Sequence, residues 1–150
     1  MRDAGSHGQS KAGRQARVVM IVDDHAHFRS ALRNWMAGED DDYELVEAGS
    51  AEEAIALAGR REVHVALMDI ELPGINGLEA TSRIRKMLPE IAVIIVSQHT
   101  GDAYVEQARA AGAVAYVTKD EVYRELLPAV SRALGRGPSG GGRGDPGKRA

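Results

Sequence analysis

The feature that most constrains this chain is a fivefold alternation: short, nearly uninterrupted apolar runs separated by longer stretches with helical spacing. The runs are Val18–Val22, Tyr43–Ala48, Val63–Met68, Ile91–Val96 and Ala113–Val117. A strand that is apolar at every position must be covered on both faces, which is the condition of a parallel sheet flanked by helices. The second run breaks the pattern with Glu44 and Glu47, and so is expected at an edge. The fold expected from this alternation is α/β, a doubly wound five-stranded parallel sheet.

The intervening stretches carry helix signals. Phe28, Ala31, Leu32, Trp35 and Met36 form one apolar stripe, and Gly38 with the acidic run Glu39–Asp42 is expected to end that helix. Ser50 and Glu53 stand in capping-box register, and Gly59 is expected to close the second helix. The third starts at Asn76, offers Leu78, Ile84 and Leu88 for burial, and stops at Pro89. The fourth follows Thr100, presents Tyr104, Val105, Ala108 and Ala111, and stops at Gly112. The fifth presents Val122, Leu126, Val130 and Leu134 at intervals of four; Pro128 places its regular start near Arg124.

Length and charge set the domain plan. A chain of 150 residues with 43% hydrophobic content supports one core. Residues 1–16 and 136–150 are poor in large apolar side chains, so each is expected to be a disordered basic tail around one domain at 17–135. Residues 1–17 and 136–150 each carry four basic side chains against one acid, which leaves residues 18–135 with 11 basic and 20 acidic side chains. A core of that sign repels a polyanion, so direct DNA binding is not expected. The absence of cysteine excludes disulfides and thiolate metal sites. With no apolar segment of signal-peptide or membrane-span length, a cytoplasmic protein with no membrane partner is expected.

The chemistry-bearing residues share one topological address. Asp23 and Asp24 follow the first run, Asp69 the third, Ser97 the fourth and Lys119 the fifth. In an open parallel sheet the ligand crevice lies just outside the carboxyl ends of the strands, so one pocket collects all five. Three carboxylates, a hydroxyl and an ammonium make no acyl-transfer triad; they suit a hard cation and a phosphoryl group. Magnesium, bound through oxygen, is the cofactor expected, with Asp24 and Asp69 as direct ligands, Asp23 acting through water, and the backbone carbonyl of Glu71 as a further oxygen. Asp69 is the expected nucleophile and phosphoacceptor, with Lys119 and Ser97 each stabilising one phosphoryl oxygen. His25 and His27 read as loop and helix-start residues rather than ligands, His64 as a core or edge histidine, and Phe28, Trp35 and Met36 as helix core. The run Glu39–Asp42 lacks the spacing of a calcium loop, and Gly74 and Gly77 read as turn residues.

These stretches resemble the receiver domain of bacterial response regulators. The resemblance rests on Val22-Asp23-Asp24-His25, on Met68-Asp69-Ile70-Glu71-Leu72-Pro73-Gly74-Ile75-Asn76-Gly77, on Ile95-Val96-Ser97, and on Ala111-Gly112-Ala113 leading to Tyr116-Val117-Thr118-Lys119-Asp120. It implies a flavodoxin-like (βα)5 fold with strand order 2-1-3-4-5 and phosphorylation of Asp69 by a partner histidine kinase. It also implies a switch made of Ser97 and Tyr116, a downstream protein on the face of helix 4, strand 5 and helix 5 (with Tyr104 and Tyr123), and tuning of dephosphorylation by Glu71 and His99. His25 after the acidic pair and Asp120 after Lys119 resemble the subfamily that usually ends in a helix-turn-helix domain. Only a Gly-rich tail follows Leu134, so a stand-alone receiver signalling by protein contact is expected, with at most slow self-dephosphorylation and no enzymatic turnover. A relay intermediate or phosphate sink is the rival within that class. An aspartate-based phosphohydrolase using Asp69 and Glu71 is the rival from outside it.

Overall fold

The computed structural model describes residues 16–39 and 43–135. The expected tails, apart from Ala16, and positions 40–42 of the acidic run lie outside the described residues. The elements are β1 Arg17–Val22, α1 Ala26–Glu39, β2 Tyr43–Ala48, α2 Ala51–Arg60, β3 Val65–Met68, α3 Gly77–Met87, β4 Ala92–Ser97, α4 Asp102–Ala111, β5 Ala115–Thr118, a 3-10 turn at Lys119–Glu121, and α5 Val122–Ala133. All five strands are parallel, in the order β2-β1-β3-β4-β5. The doubly wound sheet and its strand order are therefore as expected, and β2 lies at an edge.

Alternation along the strands divides the core between two faces. Met20 and Val22 of β1, with Ala66 and Met68 of β3, pack with Ala54, Ile84 and Ala108 from α2, α3 and α4. Val19 and Ile21, with Val65 and Leu67, pack with Leu32 and Met36 of α1 and Leu126 and Val130 of α5. At roughly 25 cal/mol per Å² of apolar surface, each fully buried Val, Leu, Ile or Met among these contributes about 1.5–3 kcal/mol to this two-sided core, and the alanines less.

Several local expectations shift. Gly38 and Gly59 both fall inside the last turns of their helices; α2 is closed instead by the backbone N–H of Arg61 donating to Leu57 O. Ser50 Oγ accepts from Glu53 N at 3.1 Å, but Glu53 Oε1 takes the N–H of Gly49 at 2.8 Å, one residue before the expected partner. Of the four residues offered by α4, only Ala108 is buried, and Val105 is exposed. α5 begins at Val122 rather than near Arg124 and continues through Pro128. Pro128 is on the exposed side, so the carbonyl it cannot bond, and the ring that displaces it, face water while Leu126, Ala129 and Val130 hold the helix to the sheet.

Candidate functional site

The parallel register delivers the expected residues to one end of the sheet. Asp69 N donates to Val22 O at 3.0 Å and Asp23 N to Ala48 O at 3.1 Å, so the strand ladders run straight into the two carboxylates. Ser97 ends β4 opposite Thr118, the residue before Lys119. Asp23, Asp69 and Ser97 are all buried, while Asp24 is exposed.

Lys119 joins the two buried acids. Its Nζ lies 2.8 Å from Asp23 Oδ2 and 3.4 Å from Asp69 Oδ2, and sits 4.3 Å from the centre of the Phe28 ring. Burial alone would lower the Lys119 pKa, but the hydrogen bond it donates to Asp23 and the charges of Asp69 and Asp23 outweigh it and hold it above its ordinary value. Burial pushes the Asp69 carboxyl up, and the like charge of Asp23 adds to the rise; the charge of Lys119, its hydrogen bond and the Glu71 backbone bond oppose it incompletely. One ammonium thus leaves the acid pocket under-neutralised.

That deficit is the test of fit for a divalent cation, and the donor set passes it. Donor atoms of Asp23, Asp24, His25 and Asp69 lie within 4.8 Å of one another. Three of the four are hard oxygen donors of the kind magnesium takes.

A second layer links the site to α4 and β5. His99 N donates to Ser97 Oγ at 3.1 Å, and the His99 ring meets Glu71 Oε2 at 2.7 Å and stacks on Tyr104 at 4.3 Å between centroids. The Tyr116 hydroxyl donates to His99 O at 2.8 Å, and burial raises its pKa. Glu71 and His99, singled out separately in the sequence, form one bridge between the loops after β3 and β4.

Gly77 fixes the loop that follows Asp69. A Cβ on it would lie 1.9 Å from Asp69 O, while its N–H donates to Ile70 O at 2.8 Å. Gly74, at φ 72°, turns the same loop, and Asn76 caps α3 by accepting from Leu78 N and Glu79 N. Gly74 is a turn residue, as expected, whereas Gly77 is the first residue of α3 and a contact that no side chain tolerates.

Two residues read as structural, and Arg29, which the sequence did not single out, touch the site. Phe28 supplies the ring face under Lys119. His25 lies in the loop, as expected, but its ring closes on the acid pair, whereas His27 stands in the first turn of α1 and does not. Arg29 donates to Asp23 O and to Glu47 Oε1, tying the acid loop to α1 and β2. A signal existed for Arg29: a cation early in a helix opposes the macrodipole and needs another reason to be there. His64 is half-buried, and its Nδ1 accepts from Val18 N at 3.0 Å, which is the structural role expected.

Comparison with known proteins agrees with this geometry. The family model described as response regulator receiver domain matches residues 19–131. The chain is 37% identical over 116 residues to the transcriptional activator protein ExaE of Pseudomonas putida, covering 77% of this chain and 54% of that protein. It is 34% identical over 112 residues to the response regulator GacA of Pseudomonas protegens, covering 75% and 53%. The chain thus spans about half the length of the curated relatives it matches. Among solved structures, a LuxR-family two-component response regulator from an Aurantimonas species superposes with TM-score 0.75 at 36% identity, covering 81% of this chain and 87% of that one. The regulator TrrA of Thermotoga maritima, solved in complex with Mg2+ and BeF, superposes with TM-score 0.72 at 29% identity, covering 79% and 99%. Among the described residues no helix is long and apolar enough to cross a membrane.

Proposed function

Because this chain belongs to the response regulator receiver domain family, we propose that it accepts a phosphoryl group from a histidine kinase on Asp69 and signals through a protein bound at the face of α4, β5 and α5. The observation that carries the reading is the Lys119 ammonium, lodged between the buried carboxylates of Asp23 and Asp69 at 2.8 and 3.4 Å. A cation between two acids at the carboxyl edge of a parallel sheet is suited to a reaction that brings more negative charge to that point.

In the transfer, an Asp69 carboxylate oxygen attacks phosphorus as the bond from phosphorus to the donor nitrogen breaks, giving an acyl phosphate. Lys119 is already within reach of Asp69 and takes one phosphoryl oxygen. Ser97, whose Oγ accepts from His99 N, has its own hydroxyl proton to donate to another. Magnesium would be held by Asp24 and Asp69 directly, by Asp23 through water and by the Glu71 carbonyl, and would supply the positive charge that one ammonium leaves lacking. The chain is then the acceptor in this chemistry and not a turning-over enzyme.

Ser97 also connects chemistry to surface. Movement of its hydroxyl toward a phosphoryl oxygen takes the acceptor from His99 N, and His99 O is where the Tyr116 hydroxyl is anchored. Tyr104 and the exposed Val105 lie on α4, Tyr116 on β5 and the exposed Val114 just before β5, so a shift at Ser97 reaches that face through two hydrogen bonds. The Glu71–His99 bridge tunes the lifetime of the acyl phosphate by spanning the loops beside it.

Incubation with acetyl phosphate and Mg2+ tests the reading. One phosphoryl group per chain, none in Asp69→Asn, and amide shifts concentrated on α4 and β5 are the expected results. Efficient onward transfer to a histidine phosphotransfer protein without those shifts would replace the adaptor reading with a relay. Steady hydrolysis of small phosphate esters would replace both.

A further inference from the structure

Resting on the reading of Asp23, Asp24 and Asp69 as a divalent-cation site, we propose that His25 is an additional ligand, letting this site take an imidazole-preferring transition ion such as Co2+ as well as Mg2+. Lys119 occupies one side of the pocket, reaching Asp23 Oδ2 and Asp69 Oδ2. The other oxygen of Asp23 faces away from it. His25 Nδ1 lies 3.1 Å from Asp23 Oδ1 and 3.3 Å from Asp24 Oδ1. Neighbouring ligands of one ion with bonds near 2.1 Å stand about 3.0 Å apart in octahedral geometry and about 3.4 Å apart in tetrahedral geometry. The nitrogen thus already stands from each of the two oxygens at the separation of neighbouring ligands on a shared ion, with Asp23 then ligating through Oδ1 directly rather than through water.

The imidazole is placed by the backbone. His25 N donates to Asp23 Oδ1 at 2.8 Å, and His25 O accepts from Arg29 N at 2.9 Å in the first turn of α1. The side chain itself is 63% exposed, so it reaches the acid pair without displacing any core residue. The consequence is chemical selectivity. Magnesium takes oxygen ligands and gains little from a nitrogen, whereas affinity for later first-row ions rises when imidazole joins carboxylate. His27, two residues on, belongs to no such group among the described residues.

The full chain should be titrated with Co2+, alone and against Mg2+, following the visible absorption of the ion and the imidazole resonances by NMR. Expected are Co2+ binding tighter than Mg2+, displacement by excess Mg2+, and hyperfine-shifted signals from His25. His25→Ala should weaken Co2+ about tenfold or more, and weaken Mg2+ by less than it weakens Co2+. Equal Co2+ affinity in the two proteins overturns the role of His25. So does Co2+ that Mg2+ cannot displace and that persists in Asp24→Asn, which would locate it at other histidines. Failure of Mg2+ itself to bind the native chain would instead remove the cation site on which the inference rests.

Discussion

The ammonium of Lys119 stands 2.8 Å from Asp23 Oδ2 and is the common partner of two buried carboxylates that β1 and β3 deliver to the same point. Removing it leaves two buried acids facing each other. Lys119→Met should destabilise the chain by about 2–4 kcal/mol at neutral pH, measured by urea unfolding without divalent cation, because the loss leaves uncompensated buried charge. Added Mg2+ should recover part of that loss. Since the folded-state pKa of Lys119 is raised, its contribution is fully present below the unfolded pKa, and it is lost only as pH rises through the folded one. Between about pH 6 and 9 the deficit of the variant is therefore expected to be constant.

Asp69 has the opposite character. Burial first, then Asp23, raises its pKa above the ordinary 3.8, so the folded chain binds this proton more tightly than the unfolded chain. Its contribution to stability is present below pH 3.8 and is lost as pH rises through the higher folded value. Without Mg2+, Asp69→Asn should raise the Tm at pH 7 by a few degrees, about 1 kcal/mol or more. The difference should vanish in acid, and saturating Mg2+ should reverse the order. A variant less stable than the native chain in metal-free buffer at pH 7 would show that Lys119 alone neutralises the pocket.

Gly77 is where backbone geometry limits the sequence most. With a Cβ position 1.9 Å from Asp69 O, Gly77→Ala must displace the loop behind the acid. A loss of about 3 kcal/mol or more is expected in chemical denaturation, together with loss of Mg2+ affinity. Gly38→Ala, whose Cβ would meet nothing within 4 Å, should be neutral or slightly stabilising.

The Glu71–His99 bridge separates stability from chemistry. Glu71 is 67% exposed, so the pair contributes little to folding, and Glu71→Ala should shift stability by less than about 0.5 kcal/mol. The same variant opens the span between the loops after β3 and β4. A severalfold shorter acyl phosphate lifetime is expected from the decay of labelled protein; an unchanged lifetime would make the bridge incidental.

The fold was legible because parallel strands leave a strong trace: four nearly unbroken apolar runs, and a fifth marked as an edge by Glu44 and Glu47. Helix ends were less so. Gly38 and Gly59 read as terminators yet stand one residue inside their helices, which end at Glu39, the first residue of the acidic run, and at Arg60. Pro128 misled in the same way, since an exposed proline interrupts only the solvent side of α5. In the site, residue types at strand ends were readable from order alone. What order could not give was the partner of each: that Lys119 sits nearer Asp23 than Asp69, that Phe28 turns its ring to the ammonium, and that Arg29 holds the Asp23 loop. Those contacts depend on how α1 lies across the sheet, and α1 carries no sequence mark of its rotation beyond the Leu32–Met36 stripe.

The proposed phosphoacceptor is the carboxylate of Asp69. Treating the chain with acetyl phosphate and Mg2+, trapping any acyl phosphate by borohydride reduction and sequencing the peptides locates the modified side chain. Homoserine is expected at position 69 and at no other position. Unmodified Asp69 beside a labelled Asp23, Asp24 or histidine would contradict it.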